Sequence, residues 1–288
     1  MDNAVLQMLD EYKCKSTQDY ENALKEIMQE IALLGLWRAK FYEHALFYGG
    51  TALRILYGLP RFSEDLDFSL LRPDTKFNLA VYHKAIREEL EAFGFEVEVQ
   101  EKIKTADSAI ESAFIKAETK VHLLKIKSPA AITSHLPDEK LLKIKLEVDT
   151  RPPGDHGIEV LDLMRPVPFQ VKTMPLPDLF AGKLHAVLAR AWGNRVKGRD
   201  FYDYLWYLGR KTPLHLKHLE ARLIQSGHHK GTLKPATFKK MLREKFASLD
   251  IAKARADVAP FLAPRERAGL ELWSKDYFEN TVDKLDVV

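Results

Sequence analysis

Along the first hundred residues the spacing of apolar positions changes period several times. Residues 2–13 and 16–41 carry helical spacing, with Leu24, Ile27, Met28 and Ile31 on one face and Ser16 placed to cap the second helix. His44 to Tyr48 is a short apolar run that reads as a buried strand and ends at Gly49-Gly50. Thr51 to Tyr57 returns to helix, ended by Gly58 and forbidden from continuing by Pro60. Residues 64–70 alternate as a strand. Asp74 then stands where it can cap a long amphipathic helix that runs to Phe93 and stops at Gly94.

The middle of the chain alternates apolar and polar residues: FEVEVQEKIK (95–104), SAFIKAE (112–118) and KIKLEVD (143–149) read as half-buried strands. Three such strands after a βα unit predict a mixed sheet rather than a doubly wound parallel one. Arg151-Pro152-Pro153-Gly154 closes the region with a hard turn. After MPLPD (174–178) the pattern is helical, at 178–192, 199–209, 213–226 and 236–247 and in shorter pieces. The expected class is α/β (α+β), with a mixed-sheet domain over 1–171 and an all-helical domain over 172–288.

Composition narrows the picture a little. The chain has 288 residues, 46% hydrophobic and 30% charged, enough for a sizeable core. A net charge of +3 neither demands nor excludes nucleic acid. Cys14 is the single cysteine, so there is no internal disulfide and no thiolate zinc site. The N-terminus lacks the basic and apolar regions of a signal peptide, and no run approaches the roughly 20 apolar residues of a spanning helix. A cytoplasmic location without membrane contact is expected.

The chemistry concentrates at alternating carboxylates. On a strand over 64–70, Ser63, Asp65, Asp67 and Ser69 share a face, and two like charges held there call for a cation. In KIKLEVD, Lys143, Lys145, Glu147 and Asp149 share one face. If that strand lies beside Asp65 and Asp67, Asp149 supplies a third carboxylate, with Glu147 the competing choice; three converging carboxylates suit two-metal phosphoryl transfer. Gly49-Gly50 between strand and helix lets backbone approach an anion at the helix start. Arg199, Asp200 and Asp203 fall at helical spacing, where Arg199 and Asp203 can form a surface pair. Lys102, Lys104, Lys116, Lys120, Lys125, Lys127, Lys140, Lys143 and Lys145 crowd one region and, gathered on one side, would suit a phosphate backbone. No Ser/His/Asp triad, HExxH or Walker A sequence competes for the site. His185 reads as a core histidine as readily as a functional one, and His228-His229 as solvated.

The run FYGGTALRILYGLPRFSEDLDF resembles motif I of the minimal nucleotidyltransferases of the DNA polymerase β superfamily. More narrowly it is similar to the AbiEii/AbiGii toxin family, in which Gly-Gly-Thr-Ala-Leu is followed by Arg-x-Ser-x-Asp-x-Asp-Phe. PDLFAGKLHAVLAR (177–190) and KGRDFYDYLWYL (197–208) match later motifs of that family in the same order, while residues 210–288 match only in being helical. The resemblance implies a polymerase β-like catalytic domain and an active site between the two domains. It implies Mg²⁺, with Mn²⁺ as the alternative, held by Asp65, Asp67 and Asp149, the last activating the incoming hydroxyl. Gly49, Gly50, Thr51, Ser63, Lys145, Lys183 and Arg199 would contact the NTP, and Asp200 and Asp203 would face it. The implied activity is transfer of NMP from an NTP to an RNA acceptor, the tRNA 3′ end, by the toxin of a bacterial toxin–antitoxin or phage-defence pair. A winged-helix antitoxin would be encoded nearby, and phosphorylation at Ser63 would silence the toxin. Two alternatives stay open: nucleotidyl transfer to a protein or to a small molecule such as an aminoglycoside, and a nucleotide-binding regulator without turnover. The lysines disfavour a cationic antibiotic.

Overall fold

The computed structural model describes residues 3–102, 109–118, 141–191 and 196–288, the side chains of 101 and 102 excepted. The chain divides into two compact units: Met1–Leu56 with Ser63–Pro152 and Val160–Thr173, and Tyr57–Phe62 with Pro153–Glu159 and Met174–Val288.

The first unit begins with α1 (Asn3–Glu11) and α2 (Thr17–Arg38). Ser16 caps α2 in a reciprocal box: its hydroxyl accepts from Asp19 N at 3.2 Å, and Asp19 Oδ2 accepts from Ser16 N at 2.9 Å. Then come β1 (Ala45–Tyr48), α3 (Gly49–Tyr57), β2 (Leu66–Leu70) and α4 (His83–Ala92). The strands β3 (Glu98–Lys102), β4 (Ile110–Glu118), β5 (Leu141–Asp149), β6 (Glu159–Leu163) and β7 (Phe169–Thr173) complete a sheet. Among the described residues its order is β3-β4-β5-β2-β1-β7-β6. It is mixed, as the sequence predicts: β2 runs parallel to β5 and β1 to β7, while β1–β2, β3–β4 and β4–β5 are antiparallel.

Alternation gives the sheet one apolar face. Phe47, Leu66, Phe68, Ala113, Ile115, Ile144, Leu146 and Val148 are buried together with the apolar residues of α2 and Ile86 and Leu90 of α4. Each fully buried large side chain there is worth about 1.5–3 kcal/mol. The two helices cross so closely that a Cβ at Gly35 would lie 3.0 Å from the Ala85 carbonyl, which explains a glycine inside a helix. The other face carries Asp67, Lys143, Lys145, Glu147 and Asp149.

Some expectations shift. The helix expected from Asp74 begins only at His83, after a short 3-10 turn at Leu79–Tyr82. Asp74 accepts instead from Lys76 N at 2.8 Å, a local turn that competes with helix. The strand expected over 64–70 begins at Leu66, so Asp65 precedes it. The strands β6 and β7 are not among the elements that the apolar pattern predicts.

The second unit is helical: α5 (Leu176–Ala189), α6 (Gly198–Gly209), α7 (Leu216–Gln225), α8 (Pro235–Ala247), α9 (Ile251–Val258), α10 (Pro264–Arg267) and α11 (Lys275–Thr281). Its core stacks Phe180 on Tyr207 at 4.4 Å and packs Phe201, Tyr204, Phe246 and Phe278 together. Gly198 admits no side chain, because a Cβ would sit 1.8 Å from the Ala254 carbonyl oxygen. No helix among the described residues is long and apolar enough to cross a membrane.

Candidate active site

In the first unit β1 delivers the chain into α3 with no loop between them. Gly49 makes this possible, with φ at +82°, a region L side chains rarely enter. A Cβ at Gly49 would also lie 2.4 Å from Asp67 Oδ2. The start of α3 and the Asp67 carboxylate are therefore in contact across the β1–β2 pair, where Tyr48 stands opposite Asp67. Thr51, fully buried, donates its hydroxyl to the Asp65 carbonyl and ties α3 to the segment entering β2. Ser63 is 7% exposed, and its carbonyl accepts from the buried Gln29 Nε2 at 3.2 Å. Sequence reasoning misses Gln29: nothing in the apolar pattern of α2 marks a buried amide that holds a loop 34 residues away.

Strand register separates the two candidate third acids. Asp67 stands opposite Glu147, and Ser69 opposite Asp149. Glu147 is therefore the direct cross-strand neighbour of Asp67 on the same face. Asp149 is one pair further along, and its Oδ1 accepts from Arg151 N at 2.9 Å. Lys145, expected at the nucleotide, forms an ion pair with Glu147 Oε1 at 2.6 Å. Among the described residues no three His, Cys, Asp or Glu side chains form a preassembled metal cage.

In the second unit Lys183 of α5 and Asp200 and Asp203 of α6 are brought together. Lys183 Nζ lies 3.0 Å from Asp200 Oδ1 and 2.7 Å from Asp203 Oδ2. Asp203, 0% exposed, is also held by Arg61 in a two-pronged pair, Nε to Oδ1 at 2.5 Å and Nη2 to Oδ2 at 2.6 Å. Arg190 Nε stands 3.6 Å from Asp200 Oδ2. Burial alone would push the Lys183 ammonium down, but Asp200 and Asp203 outweigh it and hold it above the ordinary lysine value. Burial would raise both carboxyls, yet Lys183 and Arg190 keep Asp200 low, and Arg61 and Lys183 keep Asp203 low. Lys183, Asp200 and Asp203 therefore all stay charged at neutral pH. The Arg199–Asp203 pair that helical spacing allows is not what forms: the Arg199 guanidinium lies 4.1 Å above the Phe261 ring, and Arg61 takes Asp203. Neither helical nor strand spacing singles out Arg61, although it is the arginine of Arg-x-Ser-x-Asp-x-Asp-Phe.

Of the lysine group, Lys104, Lys120, Lys125, Lys127 and Lys140 lie outside the described residues, as does the side chain of Lys102. Lys116 and Lys143 are cross-strand neighbours on the face that carries Glu147, and Lys143 Nζ sits 4.1 Å over the Phe114 ring. His185 is held by Ser226 Oγ at 2.9 Å, and burial pushes its pKa down to about 4.

A known structure shares the architecture. The crystal structure of JHP933 from Helicobacter pylori matches at a TM-score of 0.51 and 17% identity, over 91% of this chain and 94% of that one. A second H. pylori structure, of a candidate nucleotidyltransferase, aligns at a TM-score of 0.48 and 15% identity over 89% of this chain and 94% of its own. No protein of curated function matches the chain. The class is nucleotidyltransferase. The chain belongs to the AbiEii family, the nucleotidyl transferase AbiEii toxins of type IV toxin–antitoxin systems, whose sequence profile matches residues 31–283. Membership carries a nucleotide substrate and an antitoxin partner.

Proposed function

We propose that this chain transfers a nucleoside monophosphate from an NTP to the 3′ end of an RNA, tRNA being the favoured acceptor, in a reaction that needs Mg²⁺ or Mn²⁺. The observation that carries the reading is the packing of Gly49 on Asp67, with Glu147 opposite on the next strand. A helix start and an acid pair at one place suit a triphosphate and its cation.

The donor set fits a hard divalent ion, since Asp65, Asp67 and Glu147 offer only oxygen. A site short of three preassembled ligands also fits Mg²⁺, which is usually bound by one or two carboxylates with substrate phosphates completing the shell. The ion, when bound, would neutralise triphosphate charge and stabilise the leaving pyrophosphate. The chain's own groups do the rest. Backbone N–H groups at Gly49 and Gly50 receive phosphate oxygens, and Glu147 takes the proton of the acceptor hydroxyl. The hydroxyl oxygen bonds to the α-phosphorus as the bond to pyrophosphate breaks. Glu147 replaces Asp149 in this role because of register. Lys183 belongs to a cluster in which Arg61, Lys183 and Arg190 outnumber Asp200 and Asp203. That excess of one positive charge favours an anionic ligand.

In the cell the reading is that of a cytoplasmic toxin in phage defence, balanced by an antitoxin of winged-helix type. A phosphate on Ser63 would have to enter a buried position, so modification there requires the 63–65 segment to open. The test is to incubate the protein with each labelled NTP, a divalent cation and total RNA, beside Asp67→Asn. Label in tRNA that vanishes in the variant supports the reading. Label in protein, or none with any NTP, overturns it.

A further inference from the structure

A cavity of about 520 Å³ lies in the first unit beside the C-terminal end of α2 and the 3-10 turn at Phe41–Glu43. It sits before β1, whereas Gly49 follows β1, so about 13 Å of strand separates it from the candidate active site. Three features set it apart from an ordinary surface hollow. Trp37 at its wall is 42% exposed, its ring tilted against Phe169 at 6.2 Å, on a chain whose large aromatics are mostly buried. Tyr42 lines it with a buried hydroxyl that has no hydrogen-bond partner among the described residues, a rare state for a native polar group. Lys40, Lys172 and Arg38 stand around it against the single acid Glu43.

The cations are only partly neutralised. Arg38 reaches Glu89 at 3.1 Å, Lys40 and Glu43 are 4.0 Å apart and both exposed, and Lys172 has no carboxylate partner among the described residues. Lys40 also holds a left-handed backbone, φ +62°, uncommon for a non-glycine residue. Burial pushes the Tyr42 hydroxyl above its ordinary value, so it remains a donor throughout the usable pH range.

We infer that this cavity binds a nucleotide unit, with the base stacked on Trp37, the base edge at Gln170, and the phosphate among Lys40, Lys172 and Arg38. Stacking on an aromatic beside cations is how single-stranded nucleic acid is held without sequence preference. An acidic peptide would use the cations but not the planar indole. The nucleotide can be part of an RNA strand, in which case the cavity anchors the acceptor of the proposed reaction and rests on that reading, or it can be a free mononucleotide.

The experiment measures binding without turnover, in the full chain carrying Asp67→Asn. A fluorescent single-stranded RNA oligonucleotide is titrated by anisotropy, with AMP as competitor. Trp37→Ala and Lys172→Glu are each expected to weaken the oligonucleotide about tenfold, while Trp37→Phe, which keeps a stacking ring, weakens it less than threefold. Displacement by AMP assigns the cavity to free nucleotides as well, and no displacement assigns it to the RNA strand. Affinity within twofold of the parent in both Trp37→Ala and Lys172→Glu overturns the inference, as does binding of a polyglutamate peptide in place of RNA. Binding and labelling are read separately, so failure of the cavity and failure of the reaction are distinguishable. Loss of RNA labelling with binding intact would overturn the reaction alone, and labelling with the cavity indifferent to RNA would overturn the cavity alone.

Discussion

Asp203→Asn is the sharpest test of what the buried cluster in the second unit does. Both Asp203 oxygens are taken, Oδ1 by Arg61 and Oδ2 by Arg61 and Lys183, at 2.5 to 2.7 Å. The substitution keeps the shape but leaves Arg61 and Lys183 with Asp200 alone to balance them, and Arg61 is buried away from water. Removing one partner of a buried pair costs about 3–5 kcal/mol, because the other charge is left uncompensated. For a unit of this size that corresponds to a fall in Tm of about 12–20 °C. The double variant Arg61→Met with Asp203→Leu removes both charges and leaves Lys183 on Asp200 at 3.0 Å. Since an apolar pair of similar volume is often neutral against a buried ion pair, the double variant should regain most of the lost Tm. Calorimetry of the parent, the two single variants and the double variant gives the coupling directly. A loss below 1 kcal/mol in Asp203→Asn, or a double variant no better than the singles, would refute the view that this pairing holds the unit together.

Glu147→Gln should reduce nucleotidyl transfer at least a hundredfold, and Asp149→Asn less than tenfold; the reverse order in initial rates would put the third acid at Asp149. Gly49→Ala should abolish transfer and lower stability by about 1–3 kcal/mol, from strain at φ +82° and the clash with Asp67; unchanged activity would refute the close approach. Asp200 and Asp203 have folded pKa values below their unfolded ones, so their stabilisation is full above the usual carboxylate range and is lost as pH falls through the depressed values. Acid titration of Tm should therefore be shallower in the charge-free Arg61→Met, Asp203→Leu variant than in the parent. Burial pushes the Lys197 ammonium down to about 8, against the pull of Asp200, so its charged form is penalised in full below pH 8. The unfolded chain holds that proton up to its higher value, so stability rises with pH through this window. Lys197→Met should be more stable than the parent at pH 7, with the gap closing between pH 8 and 10.5.

Features set by neighbours in the chain are legible in the residues themselves. The Ser16 cap, the strand–glycine–helix start at 45–57 and the alternation of KIKLEVD all follow from local backbone chemistry, and all appear. The helix expected from Asp74 fails for an equally local reason, since Asp74 and Asn78 each bind a backbone N–H two residues on and hold the chain in turns. The strands β6 and β7 go unpredicted because each has only five residues and Arg165-Pro166 interrupts the span between them: burial alternates along both, but in β6 the outward position is Val160, 50% exposed, and the less exposed one is Glu159, the reverse of a polar-out pattern. Arg61 and Asp203 are 142 residues apart, and no pattern within either segment announces that they meet.

The third acid shows where the legibility of a sequence stops and why. Period-two alternation fixes which residues of a strand share a face, so Lys143, Lys145, Glu147 and Asp149 group together, and Asp67 is assigned to its own face. What alternation cannot fix is the offset between two strands that are parallel and far apart in sequence. An offset of two residues keeps every side chain on its face and exchanges Glu147 for Asp149 beside Asp67. An offset of one would bury the carboxylates and expose Leu146 and Val148, which the core forbids. Hydrophobic pattern thus excludes odd slips and is blind to even ones. The even choice is made by the packing of Phe68 opposite Val148 and Leu66 opposite Leu146, with all four side chains buried against the helices. A catalytic candidate is therefore selected by the apolar side of the sheet. Substitutions on that side, such as Val148→Ala, should lower transfer through register without touching the acids, and should do so in step with the loss of stability.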